Sequence, residues 1–452
     1  MAVQVDTIFA LATAQGRSGI AVVRVSGPAS GDVLREMAQV VATPRMAQRA
    51  RLIDPADGTP LDDGLVIWFP EPKSFTGEDV LELHLHGGRA VVASVLAALG
   101  RINGCRLAEP GEFTRRAFEH SKIDLTEAEG LADLIDAETE AQRRLALQQL
   151  TGGLHMTAIG WRAELLRAQG LVEAAIDFSD EADVSVEAVA EAVTHAEAVA
   201  VSLRLTLDDQ HKGEILRDGF QVVIAGPPNV GKSSLINAIA RRDAAIVSAE
   251  AGTTRDIVEL QLNLGGLAVV LADTAGVREA EGAVEREGIR RGLARAADAD
   301  MVLWVVDAVA PVLDLPPDLA GPGAKVMWVL NKSDLVPETA LTGLGAKIEA
   351  ARSLAVSTKT GEGLSALVNE ITDAARHRTQ GGEGALITTA RHRQHIAAAE
   401  AAVGDFLQGD KSDLELRAED LRRASQAIGR LVGRVDAEEI LGEIFGRFCI
   451  GK

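Results

Sequence analysis

Gly226-Pro-Pro-Asn229-Val230-Gly231-Lys232-Ser233 fits the spacing G-x-x-x-x-G-K-[ST], and no other feature narrows the fold of this chain so far. The apolar run Gln221–Ala225 comes just before it, and Leu235, Ile236 and Ile239 follow at helical spacing. A strand, a glycine-rich loop and a helix in that order set backbone N–H groups around a phosphate at the helix N-terminus. In that arrangement Lys232 neutralises the β- and γ-oxygens and Ser233 ligates Mg2+. Asn229, Val230, Gly231 and Ser234 join the same nucleotide-binding set. Ala268–Ala272, Val302–Val306, Val326–Leu330 and Leu354–Val356 supply further buried strands, with helical patterns between most of them. That alternation predicts a parallel sheet wrapped by helices.

The ends of these strands carry polar motifs in a fixed order. Asp273-Thr274-Ala275-Gly276 closes one strand, so that Asp273 reaches Mg2+ through water and Gly276 reports the γ-phosphate. Asn331-Lys332-Ser333-Asp334 closes another. The Asp334 carboxylate accepts hydrogen bonds from guanine N1 and N2, a pair that adenine does not offer. Ser357-Thr358-Lys359 closes a third strand and holds the guanine O6 edge. Thr253-Thr254 falls between the loop and Asp273, where a mobile switch places a Thr on Mg2+. The ordered set predicts a guanine-specific GTPase, and the roles of the later motifs are what resemblance to the GTPase superfamily implies. One position departs from Ras-like relatives. Where they carry a Gln that orients the attacking water, this chain has Val277, so a cation or charge supplied in trans is expected to replace that contribution.

At 452 residues the chain is long enough for about three domains. Its 47% apolar and 25% charged residues suit a globular protein. No run approaches the roughly 18 apolar residues of a membrane span, and no secretory pattern opens the chain. Two cysteines suit a reducing compartment, so a cytoplasmic protein is expected. A net charge of −20 excludes a general nucleic-acid coat, and an RNA partner needs a local basic surface.

From Asp6 to about His120 strands and helices mix. Ile20–Val25 reads as a strand stopped by Gly27-Pro28, and Ala90–Leu99 as a helix. Val80–His86 alternates, with Leu81, Leu83 and Leu85 on one side and Glu82, His84 and His86 on the other. The two histidines read as part of a polar face and Cys105 as an inert thiol. Thr126 and Glu129 form a capping-box pattern, and helical signals run on through Trp161 to Leu207. Ten acidic residues and the single Arg204 between Glu173 and Asp209 mark a solvated face. The chain becomes helical again after Gly381-Gly382. The expected fold is multidomain α+β and α/β: an α+β domain over 1–118, a helical domain in two parts (119–217 and 378–452), and a Ras-like parallel-sheet G domain over 218–377 inserted in it.

Further strings sharpen the resemblance. They are Arg24-Val-Ser-Gly27, Ser74-Phe-Thr-Gly-Glu-Asp-Val-Leu-Glu-Leu83, Gly111-Glu-Phe-Thr114, Lys122-Ile-Asp-Leu-Thr-Glu-Ala-Glu129, the switch Ala251-Gly-Thr-Thr-Arg-Asp256 and the terminal Phe448-Cys449-Ile450-Gly451-Lys452. Over essentially all 452 residues the chain resembles the MnmE (TrmE) family of bacterial tRNA modification GTPases, in the Era-like branch. The resemblance implies a homodimer formed through the N-terminal domain and an FAD-dependent partner, MnmG, in a heterotetramer or larger assembly. Together they add an aminomethyl or carboxymethylaminomethyl group to C5 of the wobble uridine, U34, of certain tRNAs. The one-carbon unit comes from a tetrahydrofolate derivative, 5-formyl- or 5,10-methylene-. Folate contacts fall on Arg24, Glu82, Lys122 and Lys452. K+ falls on Asn229, Ser248, Thr253 and the backbone of Glu250, and Thr254 joins Ser233 on Mg2+. Glu285 positions the water, and Cys449 serves the carbon chemistry, against the alternative of an inert thiol. The competing reading is an Era-like ribosome-assembly GTPase that binds RNA; one phosphate loop and the absence of a recognisable G-x-x-G-bearing RNA module weigh against it.

Overall fold

The computed structural model of the chain describes residues 6–177, 182–242, 259–273, 298–319, 325–348, 352–410, 413–433, 444–446, 448 and 451. The chain divides into two compact units, one of Met1–Ala132, Gln149–Ala196 and Asp405–Lys452, the other of Asp133–Gln148 and Glu197–Gly404. Each holds a six-stranded sheet, so the fold is multidomain, α+β in the first unit and α/β in the second. Among the described residues no helix is long and apolar enough to cross a membrane.

The first sheet contains β1 (Thr7–Leu11), β2 (Ala21–Ser26), β3 (Gln48–Ile53), β4 (Pro60–Phe69), β5 (Val80–Leu85) and β6 (Cys105–Leu107). Their order is β3-β4-β5-β2-β1-β6, antiparallel except where β6 pairs with β1. The expected alternation of β5 holds: Leu81, Leu83 and Leu85 join Val23, Val25 and Val66 in one core, under Val95, Ala98 and Leu99 of helix Arg89–Leu99. On the opposite face Ile8 and Ala10 pack against Phe113 of helix Glu112–Glu119.

A buried ionic network fixes that helix to the sheet. Arg116 donates to both Glu78 carboxylate oxygens at 3.1 Å and to Glu112 at 3.0 Å. Arg106 forks onto Glu112 at 2.8 and 2.6 Å, and the Glu109 N–H adds a bond at 2.9 Å. Burial alone raises the Glu112 pKa, but these donors outweigh it and hold the carboxyl down to about 2. A folded-state value below the unfolded one contributes stability that is present above the unfolded pKa of 4.5 and lost as pH falls toward 2. Glu112→Gln is therefore expected to lower stability by on the order of 3 kcal/mol at pH 6. That deficit shrinks progressively below pH 4.5. Urea denaturation at pH 6 and pH 3 measures both.

The helices of the first unit are joined by a cap and a long packing seam. The capping box expected at Thr126 and Glu129 is instead built two residues earlier. Asp124 accepts from the Glu127 N–H at 2.8 Å, and Glu127 accepts from the Asp124 N–H at 2.8 Å, ahead of helix Leu125–Asp136. Asp-x-x-Glu and Thr-x-x-Glu share one spacing here, and Asp is the stronger N-cap. Thr126 lies inside the helix and donates to Asp124. His155 also bonds Asp124, so the cluster of Asp124, Glu127 and His155 is engaged in holding this helix start. Helix Leu414–Leu431 packs along Gly153–Asp177, which turns Leu154, Ala158, Trp161, Leu165, Ala168 and Val172 inward.

The second sheet contains β7 (Phe220–Ala225), β8 (Glu259–Leu264), β9 (Leu267–Asp273), β10 (Met301–Asp307), β11 (Val326–Asn331) and β12 (Arg352–Ala355), in the order β12-β11-β10-β7-β9-β8. All neighbours run parallel except the edge hairpin β8–β9. The four further expected strands appear within two residues of their anticipated ends, and β8 is an addition to them. Val222, Ile224, Leu271, Leu303, Val305 and Val329 form the apolar core beneath helices Lys232–Arg242 and Leu364–Thr379. The chain order reverses beside β7, and ligands of such sheets bind outside the carboxyl ends of the strands at that reversal.

A candidate nucleotide site and a second polar face

The phosphate loop leaves the carboxyl end of β7 under tight backbone constraint. Gly226 has φ +143°, and a Cβ there would stand 2.2 Å from the Val305 carbonyl oxygen. Gly231 has φ +98°, and a Cβ there would stand 2.4 Å from Asn331 Nδ2. Only glycine meets both demands. Lys232 opens the following helix and is 9% exposed. Its Nζ donates to the carbonyls of Gly226 and Pro227 at 2.9 and 2.8 Å. Burial pushes its pKa down, opposed by the charge of Asp273. The Ser233 hydroxyl donates to Asp273 at 2.9 Å, so a hydroxyl and a carboxylate oxygen already lie together. That hard-oxygen pair suits Mg2+.

The loop after β11 meets the phosphate loop, and the loops after β10 and β12 meet that loop in turn. Asn331 ends β11 and donates its amide to the Val230 carbonyl at 2.8 Å, tying the two loops together. Its amide oxygen accepts from the Thr358 N–H at 3.3 Å. Ser357 donates to Asp334 Oδ1 at 2.7 Å while accepting from the Thr360 N–H at 3.1 Å, which fixes the direction of the Asp334 carboxylate. Lys332, at φ +62°, donates to Asp307 at 2.6 Å and toward the Asn229 carbonyl at 3.4 Å. Lys359 and Ser234 are exposed, and Val230 is buried. This half of the expected site is thus brought together. Ser248, Glu250, Thr253, Thr254, Thr274, Ala275, Gly276, Val277 and Glu285 lie outside the described residues.

A second polar constellation occupies the first sheet. Register places Arg24 opposite Glu82 and Val22 opposite His84. Arg24 donates Nε and Nη2 to Glu82 Oε1 at 3.1 and 2.9 Å. The other oxygen, Oε2, is 3.5 Å from His84 Nε2, a buried atom that makes no hydrogen bond among the described residues. The Arg24 guanidinium stands 5.5 Å from the Phe75 ring centre and 5.8 Å from that of Phe113. Lys122 reaches the Pro72 carbonyl, at the start of the loop that carries Phe75. Phe113 is fully buried while Phe75 is 36% exposed, so the face offers one aromatic surface, a carboxylate and an unsatisfied ring nitrogen, a set that suits a flat heteroaromatic ligand. His84 was not anticipated as part of it, although its spacing of two from Glu82 on an alternating strand is the signal that identifies it.

His86 pairs with Asp62 at 2.8 Å instead. Burial and nearby Glu36 push the Cys105 thiol pKa up, as expected of an unreactive thiol. Cys449 and Lys452 lie outside the described residues, while Gly451, at φ +106°, sits where a Cβ would stand 2.1 Å from the Leu11 carbonyl oxygen of β1.

Sheet order, phosphate loop and oriented Asp334 define a P-loop GTP hydrolase. The family models for the MnmE helical domain and for the GTP-binding protein TrmE N-terminus match residues 125–449 and 7–122. The tRNA modification GTPase MnmE of Beijerinckia indica subsp. indica is 51% identical over 451 residues, covering 100% of this chain and 97% of that protein. Its namesakes from Rhodopseudomonas palustris and Parvibaculum lavamentivorans are each 50% identical, covering 99% of this chain and 99% and 100% of their own lengths. The chain belongs to the MnmE family of tRNA modification GTPases.

Proposed function

We propose that this chain uses GTP hydrolysis to time a carbon-transfer step on tRNA. With an FAD-dependent MnmG partner it adds an aminomethyl or carboxymethylaminomethyl group at C5 of the wobble uridine. The N-terminal α+β domain binds the tetrahydrofolate derivative and forms the homodimer, with the domain limits given by the sequence: 1–118, the helical parts 119–217 and 378–452, and the G domain 218–377. The Glu82 carboxylate and His84 Nε2 meet the polar edge of the pterin, and Lys122 and Lys452 meet the acidic tail of the folate. The observation that carries this reading is the Arg24–Glu82 pair, with the guanidinium near the Phe75 and Phe113 rings and Glu82 beside the unsatisfied His84 nitrogen.

In the G domain, Asp334 reads the guanine edge, Ser357, Thr358 and Lys359 support that loop, and Lys232 holds the phosphates. Ser233 and Thr254 hold Mg2+, which Asp273 reaches through water and which when bound neutralises phosphate charge. Asn229, Ser248, Thr253 and the Glu250 backbone hold K+, whose charge takes the place of an arginine finger and offsets Val277. Glu285 orients the water, and Cys449 serves the one-carbon chemistry.

Titration calorimetry of the full chain with 5-formyltetrahydrofolate tests the folate site. Saturable binding is expected, weakened about tenfold or more by Arg24→Ala or Glu82→Gln, since each removes a hydrogen bond to a charged group. Absence of saturable binding by the unaltered chain overturns the folate reading and leaves GTP hydrolysis untouched.

A further inference from the structure

We infer that Asp307, at the carboxyl end of β10, is a positioning residue for guanine nucleotides that acts through Lys332. The parallel register sets Asp307 directly opposite Asn331, so the next residue along β11 is brought beside the Asp307 carboxylate. Lys332 leaves the strand in the left-handed region, at φ +62°, and its ammonium donates to Asp307 Oδ2 at 2.6 Å. The same ammonium lies 3.4 Å from the Asn229 carbonyl in the phosphate loop. The lysine stem therefore spans from the guanine-reading loop to the phosphate loop. On the proposed function, on which this inference rests, a nucleotide with its phosphates on the phosphate loop and its base on Asp334 runs beneath that bar.

Asp307 is itself held before any ligand arrives. Its Oδ1 accepts from the Val309 N–H at 2.9 Å, and the Asn331 carbonyl accepts from the Ala308 N–H at 2.9 Å. Burial would raise the Asp307 pKa, but the Lys332 and Val309 hydrogen bonds lower it, so the carboxylate is charged at neutral pH. The Lys332 and Asp307 side chains are 35% and 19% exposed. An ion pair this open contributes little to folding stability. What it supplies is direction: without Asp307 the long, flexible lysine loses one of its two fixed contacts and has to be ordered by the nucleotide. That loss appears in binding and not in the chemical step.

The test uses the full chain and four variants: Asp307→Ala, Asp307→Asn, Lys332→Ala, and the double variant. Affinities for GDP and for IDP, which lacks the 2-amino group, are measured up to millimolar concentration by nucleotide-induced thermal shift. Hydrolysis is followed alongside. Asp307→Ala should weaken GDP about tenfold and raise KM in step, with kcat within about twofold. Asp307→Asn keeps the acceptor for Val309 but loses the charge, and should weaken GDP about threefold. In the Lys332→Ala background, Asp307→Ala should add less than about twofold, because the residue through which it acts is gone. The GDP-to-IDP preference should stay within about twofold, since Asp334 still reads the edge. Unchanged GDP affinity in Asp307→Ala overturns the proposal. So does full additivity with Lys332→Ala, a fall in kcat at constant KM, or a collapsed GDP-to-IDP preference. If Asp307→Ala does not fold, Asp307→Asn decides alone: a threefold loss confined to KM supports the proposal, and wild-type affinity overturns it.

Discussion

Asp334→Asn is expected to weaken GTP binding by roughly a hundred- to ten-thousandfold while creating affinity for XTP. On the function proposed above the carboxylate accepts from guanine N1 and N2, and each charge-assisted bond of that kind is worth about 1.5–3 kcal/mol. An amide turned to the same place presents a donor where the 2-amino group also donates, so one bond is lost and two donors face each other. Xanthine carries a carbonyl at that position and accepts from the amide. The exchange works only because Asp334 is held in one direction: Ser357 donates to it at 2.7 Å and is itself fixed by the Thr360 N–H at 3.1 Å. Direct titration of the unaltered chain and the variant with ribose-labelled fluorescent GTP and XTP reads the switch. Equal losses for both nucleotides would show that Asp334 supports the loop without reading the base.

On the function proposed above, Lys232→Met should reduce kcat/KM for GTP by about a thousandfold or more, because it removes a preorganised cation at the transferring phosphate. The same change should leave the nucleotide-free chain as stable as before, or more so. Lys232 is 9% exposed and its ammonium rests on two neutral carbonyls, so burial lowers its pKa below the usual 10.5. The unfolded chain therefore binds the proton more readily between the folded-state value and 10.5, and stability rises with pH across that interval. The penalty is fully present below the folded-state value and is relieved by 10.5. Urea denaturation without nucleotide at pH 7 and pH 10 should show a rise in the unaltered chain that Lys232→Met lacks. A strongly destabilised methionine variant would mean that the lysine holds the loop together even when empty.

The second sheet was legible because its motifs sit where apolar strands stop, and apolar runs bounded by glycine or Asp are easily read. β8 carried a clear signal as well. Leu260, Leu262 and Leu264 alternate with Glu259, Gln261 and Asn263 before a Gly265-Gly266 turn, the pattern of a half-solvated edge hairpin. The helix start at Leu125 was harder, because two overlapping strings satisfy one spacing rule and only the direction in which the chain enters the helix separates them. Asp307 and His84 illustrate a different limit. Asp307 looks like the ordinary end of an apolar strand until register sets it against Asn331. His84 looks like a solvated face residue until its ring nitrogen proves buried beside Glu82. Both depend on a neighbouring strand far away in sequence.

The seam between Gly153–Asp177 and Leu414–Leu431 also bears on how the protein is made. The later helix begins 237 residues after the earlier one ends. During translation, Leu154, Trp161, Leu165 and Val172 emerge long before the surface that covers them. Pairing over such an interval is slow, and uncovered apolar faces favour aggregation. A ribosome stalled anywhere between these helices leaves a nascent chain that invites chaperone capture, even where the nucleotide-binding sheet has already folded.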